Sequence, residues 1–247
     1  MYAFTGQAHF PRCIGSVARP AWLLAVLGLV PSALSAAAPP LPWRDTPLAR
    51  LEAFALIQTL NSQILASSSA TRSVQDWCRA HALADRPQIV ARPLPASDVP
   101  AGAGIRRNLQ VGAGESVRNR RVELRCGERV LAIADNWYVP ARLTAAMNRT
   151  LETTQQPFGM VVQALSPHRQ TLAAKLLWSP LPDGWERAPA RGKGAAGSAQ
   201  PLAMPAALFE HDAIVYAGRQ QPLAEVHEVY QRDILAFDEP QLPDVGP

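Results

Sequence analysis

Between residues 46 and 68, Leu48, Leu51, Phe54, Ala55, Leu56, Leu60 and Ile64 fall three or four positions apart, which gathers them on one side of a helix. This spacing predicts an amphipathic helix from Thr46 to about Ser68. Ser73-Val74-Gln75-Asp76 opens a second helix in the manner of a capping box, with Asp in place of Glu or Gln, and the helix runs to Leu83 before Pro87 stops it. Two helices therefore precede the first strand.

Beyond Pro87 the apolar period shortens from that of a helix to that of a strand. Ile89 to Leu94 is a short strand that its prolines confine to an edge, and residues 95–114, rich in Gly, Pro and Ala, read as a loop. The strongest β signal follows. Ser116–Arg125 and Arg129–Val139 flank Cys126-Gly127-Glu128, which is hairpin spacing with a glycine free to take positive φ. Along the second strand, Val130, Ala132, Ala134, Asn136 and Tyr138 share one face, and Leu131, Ile133, Asp135, Trp137 and Val139 share the other. Neither face is fully polar, so both are expected to be partly covered.

Pro140 ends this strand, and Leu143, Met147 and Leu151 place a helix over Arg142–Thr153, capped near Thr144. Gln156-Pro157-Phe158-Gly159 is a turn. Met160–Leu165 and Thr171–Trp178 read as two short strands, and Ala213–Ala217 with Leu223–Gln231 as a closing hairpin around Gly218–Gln221. Residues 180–205 contain ARGKGAAGSAQP, too poor in apolar residues to hold a shape, and are expected to form a mobile loop. The organisation expected is a tether over 38–46, a single domain over 47–237 interrupted by the loop at 180–205, and a disordered, acidic, proline-rich tail over 238–247. The fold class is α+β, an antiparallel β-sheet with helices packed on it.

At 247 residues, 48% of them hydrophobic, the chain has ample material for a core. Its net charge of +4 rests almost wholly on arginine, since the lysines are Lys175 and Lys193. The arginines are dispersed and form no stripe interleaved with aromatics, so a nucleic-acid partner is not expected. Arg12 and Arg19 precede the apolar run Ala21–Val30, followed by Pro31 and the small residues Ser35–Ala38. That order is the one found in secretory signal peptides, placing a leader over 1–37 and the mature chain in the periplasm or outside the cell; the minority reading is a retained anchor. The apolar run is short of the roughly 20 residues of a membrane span, and no later segment reaches that length. Cys13 would leave with the leader. Cys78 and Cys126 then form a pair able to bridge in an oxidising compartment, with two buried thiols as the equal alternative.

The order of elements, together with Arg121–Gly127 (RVELRCG), Val139-Pro140, Thr154-x-x-Pro157-Phe158-Gly159, Arg169 and Pro222–Tyr230 (PLAEVHEVY), resembles the chorismate pyruvate-lyase family and the wider chorismate lyase-like superfold, which ligand-sensing domains of some transcription regulators (UTRA-like) also use. The resemblance spans roughly Leu48 to Tyr230. It implies elimination of pyruvate from chorismate to give 4-hydroxybenzoate, a carbon–oxygen lyase reaction without metal or organic cofactor. It further implies that Arg121 grips a carboxylate of a small aromatic acid, that the backbone at Phe158 and Gly159 closes over the ring, and that Glu228 is catalytic in proton transfer. Alternation places Glu228 with Ala224, Val226 and Tyr230, where apolar neighbours would disfavour its ionised form. The spacing from Pro222 to Glu228 departs by one residue from the family pattern, which makes Glu225, on the other face, the fallback.

Each candidate also has a plainer role. Arg121 stands in a run with Arg118, Arg120 and Arg125 that suits a solvated strand face, Glu228 beside His227 suits a cross-strand pair, and Phe158 and Trp137 suit a core. His211-Asp212 and His227-Glu228 would have to converge to hold a metal, and no metal is expected. Gly-x-Ser-x-Gly, Walker and His-Glu-x-x-His motifs are missing. A non-catalytic module binding a small aromatic carboxylate on the same fold is the alternative to the enzyme.

Overall fold

The computed structural model describes residues 41–95, 100–187, 200–218 and 220–240, all within one compact unit, Pro39–Pro247. The expected leader, the centre of the long loop and the end of the tail lie outside the described residues. Helices α1 (Pro47–Ala66) and α2 (Ala70–Ala80) come first, then strand β1 (Ile89–Pro93), a short α3 (Ala103–Asn108) and the hairpin β2 (Arg118–Cys126) and β3 (Arg129–Tyr138). Helices α4 (Ala145–Thr153) and α5 (Phe158–Val161) follow, and then β4 (His168–Leu176), β5 (Ala207–Tyr216) and β6 (Pro222–Gln231). The six strands form one sheet in the order β1-β2-β3-β6-β5-β4, every neighbouring pair antiparallel.

Local chemistry explains most of these boundaries. Thr46 accepts a hydrogen bond from the Ala49 amide at 3.0 Å and Pro47 occupies the first helical position, where no N–H is needed. The buried face of α1 is Ala49, Ala53, Ile57, Leu60 and Ile64, whereas Leu48 and Leu51 are 50% and 41% exposed. The stripe is thus rotated from the one predicted, because two alanines let the helix approach the sheet more closely than leucines would. These residues pack in one cluster with Ala91, Val122, Leu124, Ala132, Phe209 and Tyr230. Helix α2 begins three residues earlier than predicted, capped by Ser69, whose side chain accepts from the Arg72 amide.

Three further differences have identifiable causes. Residues 160–165, predicted as a strand, are helical, because Pro157 starts α5 and burial of Phe158 and Val162 sets the period; a short apolar run does not itself distinguish the two. Helix α3 lies in the predicted loop and ends at Leu109, which is fully buried and whose carbonyl accepts from Arg142 at 2.6 Å. Strand β5 starts six residues early, at Ala207, with Leu208 and Phe209 in the core. At the end of the predicted mobile loop, Leu202 and Met204 are buried and the Leu202 amide donates to the Trp43 carbonyl.

Indole donors fasten the chain ends to this body. Trp43 Nε1 donates to the Leu235 carbonyl and Trp77 Nε1 to that of Ile234, at 2.9 and 2.8 Å. His81 is held between Trp77 and Phe237, with ring centroids at 4.1 and 4.3 Å. Cys78 of α2 and Cys126 at the end of β2 are fully buried and joined as a disulfide across 48 positions of sequence. A closed loop of that length restricts the unfolded chain, so Cys78→Ser/Cys126→Ser should lower stability by about 2–4 kcal/mol in urea unfolding. A midpoint unchanged from the oxidised wild type would mean that the bridge does not stabilise the fold.

Candidate functional site

Strand alternation brings one row of side chains from each central strand to the face that carries α1 and α2. Register sets Val122 opposite Ala134, Ala134 opposite Glu228, and Glu228 opposite His211; Arg169 of β4 lies opposite Val215 of β5. Where these rows meet the start of α2 and α5 there is a cavity. Its walls are apolar at Val122, Leu124, Ala134, Phe158, Val215 and Val226, and polar at Ser69, Thr71, Asn136, Arg169 and Glu228. It measures about 40 Å³ on the scale where one water needs roughly 10–15 Å³, which is room for about three waters.

The roof depends on two local devices. Arg120, buried under α4, donates to the carbonyls of Leu151, Thr154 and Gln156 at 3.1–3.3 Å, and so fixes the turn that leads into Phe158. Carbonyls at a helix C-terminus are natural acceptors for such a cation. Gly159 then passes so close to α2 that a Cβ there would stand 2.9 Å from Thr71 Oγ1. Phe158 packs on Tyr138, with ring centroids 5.9 Å apart.

The floor is ionic. Arg169 Nη1 donates to Glu228 Oε2 at 3.0 Å, and the Tyr230 hydroxyl donates to the same oxygen at 3.0 Å. Arg169 Nη2 lies 2.9 Å from the same oxygen, so the terminal end of the guanidinium is directed at Glu228. The side chains of Arg169 and Glu228 are 3% and 8% exposed. Nε and Nη2 of Arg169, the lateral edge of the guanidinium, are buried without a hydrogen-bond partner. Two parallel donors on one planar edge match a carboxylate in bidentate fashion. The start of α2 adds its first-turn amides, which a helix leaves without internal acceptors.

Behind the pair, His211 Nε2 meets Asn61 Oδ1 at 2.7 Å, while Asn61 Nδ2 donates to Gln58. That arrangement puts the imidazole proton on Nε2. Burial and the nearby Arg169 charge push the His211 pKa down to about 4, so the ring is neutral. Burial likewise drives the Tyr230 pKa well above its ordinary value, which keeps the phenol as a donor.

The sequence-predicted residues separate by face. Glu228, Phe158 and Gly159 line the cavity. Arg121 does not: its neighbours Val122 and Arg120 point into the core, so it points outward, 43% exposed and 3.8 Å from Asp135. Glu225 sits opposite Trp137 on that outer face of β6, half-buried, with its pKa raised by burial. The neighbours expected for Glu228, among them Val226 and Tyr230, are joined by Arg169. Arg169, which carried the resemblance without a role, was missed because its link to Glu228 spans 59 positions. His227 pairs with Asp212 at 2.7 Å on the outer face, and among the described residues no group of His, Cys, Asp and Glu could hold a metal ion.

A protein of Sinorhizobium fredii, the uncharacterized protein y4mC, is 45% identical over 201 residues, 81% of this chain and 84% of that one. No family model matches the sequence, and membership of the chorismate pyruvate-lyase family itself finds no support. Similar solved structures include the ligand-binding domain of a protein assigned to the GntR family of transcriptional regulators from Bordetella bronchiseptica, with 21% identity over 59% of this chain and 84% of that one and a TM-score of 0.38. The effector domain of PhnF from Mycobacterium smegmatis shares 13% identity over 67% of this chain and 90% of its own, with a TM-score of 0.41. The α+β class expected from the sequence, an antiparallel sheet with helices packed on it, is the one observed. Two expectations are corrected. The neighbours are domains of transcriptional regulators, proteins that bind DNA, so neither the exclusion of a nucleic-acid partner nor the periplasmic or secreted location is retained. Among the described residues no helix is long and apolar enough to cross a membrane.

His211 also gives a test of the buried cluster. A histidine with a depressed folded pKa takes up its proton in the unfolded chain first, so its contribution is present above the ordinary value of 6.5 and is lost as pH falls towards about 4. Wild type should lose stability more steeply than His211→Gln over that window, as read by urea midpoints. Parallel slopes would contradict a buried neutral imidazole.

Proposed function

We propose that this chain, which belongs to the family of the Sinorhizobium fredii protein y4mC, is a binding domain for a small organic acid held in the cavity by Arg169. The observation that carries this reading is Arg169 in the lining of the cavity, held by Glu228 at its terminal end and with its lateral Nε buried without a hydrogen-bond partner. An arginine is costly to bury with donors unmet, and an incoming carboxylate would satisfy them. Glu228 holds the guanidinium from its terminal end, so the lateral edge stays in one orientation. The hydroxyls of Ser69 and Thr71 and the first turn of α2 favour negative charge on the same side.

The lyase reading uses the same cavity with Glu228 as the proton-transferring group. Its specific support is that Glu228 lines the cavity. Binding is favoured over it, because Glu228 Oε2 is already engaged by Arg169 and Tyr230 and the space is small for a ring with two carboxylates.

Thermal melts of the purified protein with propionate, benzoate, 4-hydroxybenzoate and chorismate, followed for release of 4-hydroxybenzoate and pyruvate, separate the readings. Stabilisation by one or more of these acids should disappear in Arg169→Gln and persist in Arg121→Gln, whose side chain is on the other face of the sheet. Equal loss in both variants, or no stabilisation by any acid, would overturn the binding reading, and product formed by wild type but not by Glu228→Gln would establish the lyase.

A further inference from the structure

The cavity is electrically balanced before anything enters it. Among the described residues, Arg169 and Glu228 are its only ionisable lining residues. Behind them, His211 is neutral and Tyr230 remains a phenol, and the cation Arg120, on the same face of the sheet but outside the lining, is turned to three carbonyls at the end of α4, with its Nη1 buried without a partner. A simple carboxylate would bring a second negative charge beside Glu228, with Arg169 the one cation of the described lining to share. That excess charge weakens a simple carboxylate relative to a ligand of no net charge.

The polar atoms left over are of two kinds. On the donor side is the lateral edge of Arg169. On the acceptor side, the contacts to Glu228 all go to Oε2, so Oε1 takes none of them. Asn136 is oriented by its Nδ2, which donates to the Arg120 carbonyl at 3.1 Å, and its Oδ1 is therefore the atom available to the cavity it lines. Acceptors of this kind, one of them a carboxylate oxygen, suit an ammonium group as the guanidinium edge suits a carboxylate.

We propose that the acid taken by this cavity is a zwitterion of the α-amino acid class, its carboxylate on Nε and Nη2 of Arg169 and its ammonium on Glu228 Oε1 and Asn136 Oδ1. The proposal rests on the reading of the cavity as an organic-acid site and adds the second charge. A net-neutral ligand leaves the buried charge balance unchanged, and the limited volume favours a small side chain against Val122, Ala134 and Val226.

The test compares glycine, L-alanine and L-phenylalanine with their deaminated counterparts acetate, propionate and 3-phenylpropionate, by calorimetric titration of the full chain near neutral pH. At least one amino acid should bind about tenfold or more tightly than its deaminated partner, as one charge-assisted hydrogen bond allows. In Glu228→Gln that preference should shrink to about twofold or less while Arg169→Gln loses both ligands. The wild-type ratio decides even if the Glu228 variant fails to fold. Deaminated acids binding as tightly as amino acids would overturn the zwitterion and leave the acid site standing; no binding by any of the six would overturn the acid site as well.

Discussion

The ion pair between Arg169 and Glu228 dictates how the interior of this sheet is built. The two residues belong to β4 and β6, with β5 between them, and they are offset along the strands: Glu228 lies opposite His211, whereas Arg169 lies opposite Val215. Between those two positions of β5 stands Ala213, small and fully buried. Ala134, opposite Glu228 on β3, keeps the other side low. Burying two charges is costly, and only good geometry with further hydrogen bonds offsets it. Tyr230 supplies one of those bonds, and it stacks on Phe209, with ring centroids 4.4 Å apart.

The arginines that look dispersed along the chain carry much of the connectivity. Arg120 ties the end of α4 to the sheet, and Arg142 gathers the carbonyls of Leu109, Gln110 and Pro222 together with Glu115. Arg50 joins Asp45 to the Pro180 carbonyl. In each case the planar group reaches several oxygens from different segments, which a lysine ammonium on a flexible stem would not hold in fixed directions. The arginine bias of the composition thus serves the fold at several points, beyond any solvated surface.

How much of this was legible depended on the range of the interaction. The β2–β3 hairpin, α1 and the last strand were readable because strand alternation, helix period and turn glycine act within a few residues. Alternation along β6 also placed Glu228 on the inner face with Val226 and Tyr230. What was not legible was decided by distant partners: the helical state of Met160–Leu165 follows from burial against the sheet, and Arg121, which the resemblance implies as the carboxylate grip, stands on the face away from the cavity. Arg169 is marked by the resemblance alone, since nothing in the local run Ser166-Pro167-His168-Arg169 indicates that its side chain is buried. Its burial comes from the strand order, which a single sequence does not reveal.

The edge position of β4 also explains why the cavity is an arginine site in particular. An edge strand has solvent on one side, and a side chain starting there must reach inward across the neighbouring strand to take part in the core. Arginine is long enough to do so and still present two distinct faces of donors at its end. The terminal end meets Glu228, which fixes the group, and the lateral edge is left facing other partners. A lysine would be consumed by Glu228 as a single point charge, with no second edge to offer. The internal carboxylate is therefore the element that orients the cation, because it engages the terminal end of the guanidinium and leaves the lateral hydrogen atoms of the same group unused.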